Sequence, residues 1–206
     1  MTKKLKDWDA ELPKSILRNQ QKLCDRRAFL SQITAISTTA ALLPAIALAE
    51  NRHSTAEITD TPFLTQQPWK TFAAVQEHLF PVTKDSPGAG DINATLYLKS
   101  MLYTPDMEKE NREFIINGIG WLNAMSNEMK GKPFIQLPEQ DREIVLRRIE
   151  KSRAGQSWLA TLLLYTIEAL LADPVYGGNP HGIGWKWLQH QPGFPRPPED
   201  KMYYKL

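Results

Sequence analysis

A single cysteine, Cys24, and four histidines are all that this 206-residue chain offers for thiol or soft-metal chemistry. One thiol closes no disulfide within the chain. It also supports neither a cysteine-ligated iron–sulfur cluster nor a C-x-x-C-H haem attachment site. His53, His78, His181 and His190 include no pair at the spacing of a zinc-binding helix. There is no G-x-S-x-G nucleophile elbow. Lys and Arg form no dense block in the body of the chain, so there is no electrostatic case for nucleic acid. The glycine-bearing stretch Thr83 to Gly90, TKDSPGAG, lacks both G-x-x-x-x-G-K-[ST] and G-x-G-x-x-G spacing and reads as a breaker-rich loop, not a nucleotide cradle. No segment alternates at period two for long enough to predict a strand.

What is present begins with an address. Residues 1–49 carry Lys3, Lys4, Lys6, Lys14, Arg18 and Lys22, then the pair Arg26-Arg27 followed by Phe29 and Leu30. An apolar run from Ile33 to Leu48 ends in Ala47-Leu48-Ala49. A basic region, an apolar region and an A-x-A ending are the parts of a secretory signal, and the arginine pair resembles the twin-arginine version. The run is diluted by Ser37, Thr38, Thr39 and Pro44, and it barely reaches the roughly 20 residues that a membrane span needs. Cleavage is therefore expected between Ala49 and Glu50. The remainder holds 17 basic and 19 acidic residues, a net charge of −2, with no cysteine. That suits an oxidising compartment.

Residues 50–67 are polar and aperiodic, and predict a linker or extended arm. From residue 68 to 206 the pattern is that of an all-α domain of about five helices with an irregular Gly/Pro/aromatic C-terminal tail. Pro68 opens a helix carrying Phe72, Val75 and Leu79 on one face, ended by Pro81. A second helix is expected over Asp91–Tyr103, with Ile92, Leu96, Lys99 and Tyr103 on one face and Leu98 and Leu102 beside it. Thr104-Pro105-Asp106 has the order of an N-cap, a first-turn proline and an acid at the positive end of the dipole, and predicts the start of a third. Phe114, Gly118, Trp121, Leu122, Met125 and Met129 form its core stripe, closed by Gly131. Pro138 opens a fourth with Ile144, Val145 and Ile149 inward and Arg142, Arg147, Arg148, Lys151 and Arg153 outward. The last, Ser157–Ala172, is apolar on nearly every side, as a helix enclosed by neighbours would be.

Two sets of residues are candidates for function. Glu168 is the one acid on the apolar helix, so burial would raise its pKa. It reads either as a proton donor, with His181 as its basic partner, or as an acid satisfied by a backbone group or a neighbouring arginine. The tail is the other. Asp173, Pro174, Tyr176, Gly177, Gly178, Asn179, Trp185 and Trp187 combine rigid aromatics, close-approach glycines and an amide that both donates and accepts. They read as a partner interface that orders on binding, against the competing reading that the aromatics pack on their own domain.

The run ADPVYGGNPHGIGWKWLQHQPGFP, residues 172–195, resembles the C-terminal signature of the gluconate 2-dehydrogenase small (gamma) subunit family. Asp173, Pro174, Tyr176 to Asn179, Gly184, Trp185, Pro192 and Gly193 carry the match. LFPVTKDSPGAGDINATLYL, residues 79–98, resembles the family's earlier proline and Pro-Gly-Ala segment. The resemblance implies a non-catalytic subunit of a periplasmic oxidoreductase acting on CH–OH groups. It implies no cofactor in this chain, FAD in a large dehydrogenase subunit, and haem c in a multihaem cytochrome subunit. It also implies that this chain helps fold the flavoprotein and take it through the twin-arginine translocase, to a periplasmic site at the inner membrane.

Overall fold

The computed structural model describes residues 66–203 and, ahead of them, Asp9, Leu12, Pro13 and Lys14. Arg26, Arg27, Phe29 and Leu30, the cleavage site at Ala47, Ala49 and Glu50, and residues 50–65 of the expected arm lie outside the described residues. Six α-helices follow in order: α1 Trp69–Leu79, α2 Ala94–Leu102, α3 Lys109–Lys130, α4 Glu139–Ile149, α5 Arg153–Leu171 and the short α6 Ile183–Trp187. Among the described residues there is no strand, and no helix is long and apolar enough to cross a membrane. The sixth helix falls inside the expected tail.

Helix α5 is the axis of the domain, packing on α1, α2, α3 and α6. Trp158 explains how its first half is held. The indole is buried, its Nε1 donates to the Ile115 carbonyl of α3 at 2.8 Å, and its ring stacks obliquely on Phe72 of α1 with centroids 6.3 Å apart. Gly118 makes room for it, since a Cβ there would lie 2.0 Å from the indole nitrogen. Phe72, Phe114, Leu122, Phe134, Val145 and Leu162 complete this main apolar cluster. A buried polar chain fixes the register of three helices: Gln76 Nε2 donates to Thr166 Oγ1 at 3.2 Å, and Gln76 Oε1 accepts from Thr95 Oγ1 at 2.8 Å. Thr166 Oγ1 in turn donates to the Leu162 carbonyl at 2.9 Å, leaving the set paired.

Several expected boundaries and faces move. Helix α2 begins at Ala94, because Asn93 sits in the left-handed region at φ 54°. Its buried face is Tyr97, Leu98, Met101 and Leu102, with Tyr103 exposed rather than inward. Thr104 is no N-cap. Its hydroxyl donates to the Met101 carbonyl at 2.9 Å, Pro105 stands in a turn, and α3 starts at Lys109 after Glu108. The end of α3 is as expected, with Gly131 at φ 70° in the left-handed region. On α4, Leu146 is buried and Ile144 exposed, while Arg142 tucks its guanidinium over Phe134 and donates to the Ile135 carbonyl at 2.8 Å. Nor is α5 enclosed on all sides, since Ile167 and Leu171 near its end are exposed.

Candidate functional site

The first part of the tail is ordered on the domain, and the irregular backbone expected there is found beyond α6, over residues 189–198. Pro174–Tyr176 and Pro180–Gly182 are single 3₁₀ turns, and α6 follows at once. Asp173 caps the first turn, accepting from Val175 N at 3.1 Å. The same carboxylate takes both arms of Arg196, at 2.7 and 3.0 Å, and this hydrogen-bonded guanidinium holds its pKa below the ordinary carboxylate value. Arg196 also lies over the Trp185 ring, 5.3 Å from its centroid, so the chain beyond α6 is tied back to its start.

Asn179 is the hub of this arrangement and is fully buried. Its Nδ2 donates to the Ala172 carbonyl at 3.0 Å, its Oδ1 accepts from Gly184 N at 2.7 Å, and its own N–H donates to the Ile92 carbonyl at 3.0 Å. The amide thus joins the end of α5, the start of α6 and the turn before α2. Gly184 allows α6 to lie on α5, because a Cβ there would fall 2.1 Å from the Leu170 carbonyl oxygen. Trp185 is 9% exposed and its Nε1 donates to the Leu171 carbonyl at 2.8 Å. Gly178 and Asn179 are likewise buried, whereas Asp173, Pro174, Tyr176 and Gly177 are half-buried. Of the residues expected at a partner surface, Gly178, Asn179 and Trp185 are therefore buried within this chain's own fold. Trp187 is different. It is 39% exposed, meets Phe80 edge-on at 6.3 Å, and is followed by Leu188, also exposed. Ile167 and Leu171 are exposed on α5, the helix against which α6 packs.

A second feature lies where α2 and α5 meet the turn before α3. A cleft of about 490 Å³ is lined by Tyr97, Met101, Thr104, Tyr165, Glu168 and Tyr203, with Asp106, Met107, Glu108 and Asn111 at its sides. Glu168 is half-buried, and burial raises its pKa, as its place on the helix suggested. Its partner is neither a backbone group nor an arginine: Tyr97 Oη donates to Glu168 Oε2 at 3.5 Å. Burial and the nearby carboxylate push Tyr165 up to about 12 and raise Tyr97 as well, so these phenols stay protonated donors at neutral pH. Tyr203, from the far end of the chain, contacts Met101 Sδ through its hydroxyl at 3.8 Å. His181 does not join this group. It is exposed, at φ 54° in the turn before α6, and is not among the residues lining the cleft. Among the described residues no three His, Cys, Asp or Glu side chains are grouped so as to hold a metal ion.

The family model for gluconate 2-dehydrogenase subunit 3 matches residues 66–193, which takes in α1 to α6, the loop before α2 and the Asn179 hub. The chain belongs to the gluconate 2-dehydrogenase subunit 3 family. No curated protein and no solved structure matches it. The match covers the cleft only in part, because Tyr203 lies beyond it. Sequence reasoning missed the cleft tyrosines and the Gln76–Thr95–Thr166 chain. The available signal was polar residues at inward positions of otherwise apolar faces, Gln76 beside Val75 and Thr166 beside Tyr165.

Proposed function

We propose that this chain is the non-catalytic small subunit of a periplasmic, FAD-dependent dehydrogenase complex of the gluconate 2-dehydrogenase type. In this reading a large subunit holds FAD and oxidises the substrate's CH–OH group, and a multihaem cytochrome c subunit passes the electrons on. The small subunit helps the flavoprotein fold and carries it through the twin-arginine translocase to the periplasm, at the inner membrane. The match of residues 66–193 to a family of complex subunits carries this proposal. Trp187 and its neighbour Leu188, and separately Ile167 and Leu171 one turn apart on α5, are exposed apolar side chains, which supports contact with a large subunit, since exposed aromatics anchor interfaces by desolvating a rigid area.

A small subunit of a related sugar or polyol dehydrogenase would have the same fold and surface. A stand-alone enzyme with Glu168 and His181 as acid and base is disfavoured, because no hydrogen bond or shared cleft brings the two together. The test is Arg26→Lys with Arg27→Lys in the full chain. Flavin-containing dehydrogenase should then remain in the cytoplasm together with this subunit. Normal periplasmic flavoprotein in that strain would reject the escort role.

A further inference from the structure

The cleft where α2 and α5 meet the turn before α3 is chemically one-sided. Its walls are aromatic: Tyr97 comes from α2, Tyr165 from α5, and Tyr203 from beyond α6. Tyr203 is held in place by Tyr176 of the first 3₁₀ turn. Its N–H donates to Tyr176 Oη at 3.4 Å, and the two rings lie 5.8 Å apart. Three phenol rings therefore line one cavity of about 490 Å³, the size that takes a small organic molecule.

Every charged side chain lining this cavity is acidic. Glu168 is half-buried, Asp106 and Glu108 stand exposed at the sides, and no Lys, Arg or His is among the lining residues. Among the described residues none of the three carboxylates forms an ion pair. Asp173 has the Arg196 guanidinium, whereas Glu168 has the neutral Tyr97 hydroxyl at 3.5 Å. Glu168 also lies in the last turn of α5, where no basic residue offsets the negative end of the helix. Burial holds its carboxyl above the ordinary value with no cation to oppose the effect.

These features select among ligands. An anion would be repelled by all three carboxylates, and a neutral molecule would leave their charge uncompensated. A bare metal ion finds no set of three His, Cys, Asp or Glu grouped to hold it among the described residues. A cation with apolar substituents is matched twice, because aromatic faces attract it and Glu168 supplies the opposite charge. We propose that this cleft binds a small organic cation of the ammonium class, with Glu168 as its counter-charge and the Tyr97, Tyr165 and Tyr203 rings as its walls. Asp106 and Glu108 at the rim favour its entry, most strongly at low ionic strength. The site lies wholly within this chain and does not rest on the export reading.

The test uses the purified full chain with choline chloride as the probe. The control is its uncharged isostere, in which a tert-butyl group replaces the trimethylammonium, at equal ionic strength. The methyl groups of Met101 and Met107, both lining the cleft, are read by NMR. Choline should shift both methyls saturably, and the isostere should bind at least about tenfold more weakly. Glu168→Gln keeps the shape and removes the charge, so it should weaken choline by about tenfold or more. Tyr203→Leu, at an exposed position, should weaken choline as well with Glu168 intact. Shifts that rise linearly without saturating, equal binding of the isostere, or wild-type affinity in Glu168→Gln would overturn the proposal. All readings are made on the isolated chain, so the cation site and the dehydrogenase complex fail separately.

Discussion

The two halves of α5 are covered in different ways. Around Trp158 the helix is held by apolar volume: buried rings of Phe72, Phe114 and Phe134, with Leu122, Val145 and Leu162 between them. Around Leu170 the second cluster is built from smaller groups, Ala89, Ile92, Ala94 and Ala169 with Tyr97, Met101 and Leu170. What lies over it is held by directed bonds: Asn179 to Ala172 and Gly184, Trp185 to Leu171, and Asp173 to Arg196. Volume tolerates adjustment of side chains, whereas a hub of hydrogen bonds fails when one atom is removed. The first region therefore supplies the bulk of stability, and the second positions a short helix and its outward-facing Trp187.

Substitutions in each region sharpen this contrast. Trp158→Ala should have the largest effect, a loss of about 3–5 kcal/mol, by leaving a cavity between α1, α3 and α5. Thermal unfolding followed by circular dichroism would check it. Asn179→Ala should cost less, about 1–3 kcal/mol, because the Gly184 N–H and the Ala172 carbonyl lose their partner. Amide exchange in that variant should rise at Gly184 while Trp158 and its neighbours stay protected.

The smallest effects depend on pH and have opposite signs. The pKa of Asp173 is depressed in the folded chain, so its stabilisation is present above the ordinary carboxylate value and is lost as pH falls through the depressed one. Asp173→Asn should therefore lower the melting temperature at pH 7 and approach wild type in strong acid. The pKa of Glu168 is raised, so the stability it contributes is present below its ordinary value near 4.5 and is lost as pH rises through the raised one. Glu168→Gln should match wild type at low pH and exceed it at neutral pH. Two melting curves of the same sign would show that one of the two environments is misassigned.

The same contrast explains what could be read from the sequence. Phe72, Val75, Phe114, Trp121, Leu122 and Met125 recur at helical spacing, and their helices stand where that periodicity places them. The α3 start was misplaced because Thr104-Pro105-Asp106 has the composition of a cap, yet the Thr104 hydroxyl bonds backward to Met101. Such a local choice has no periodic signature. The tail read as irregular because its turns rest on positive φ at Asn179, His181 and Gly182 and on long-range hydrogen bonds, neither of which leaves an apolar repeat. Tyr97, Tyr165 and Tyr203 come from three separate parts of the chain, so only the folded topology makes them one cleft.

The paired tryptophans of α6 test the central claim, that the tail is bound inward through Trp185 so that Trp187 faces a partner. Trp187→Ala and Trp185→Ala, each in the full chain, should be compared for melting temperature and for co-purification with the proposed flavin-bearing subunit. Trp185→Ala should destabilise the domain. Trp187→Ala, which gives up the edge-on contact with Phe80, should lower the melting temperature less than Trp185→Ala and still lose affinity for the proposed flavoprotein partner by about 2 kcal/mol, roughly thirtyfold. Full co-purification of a well-folded Trp187→Ala chain would contradict the account.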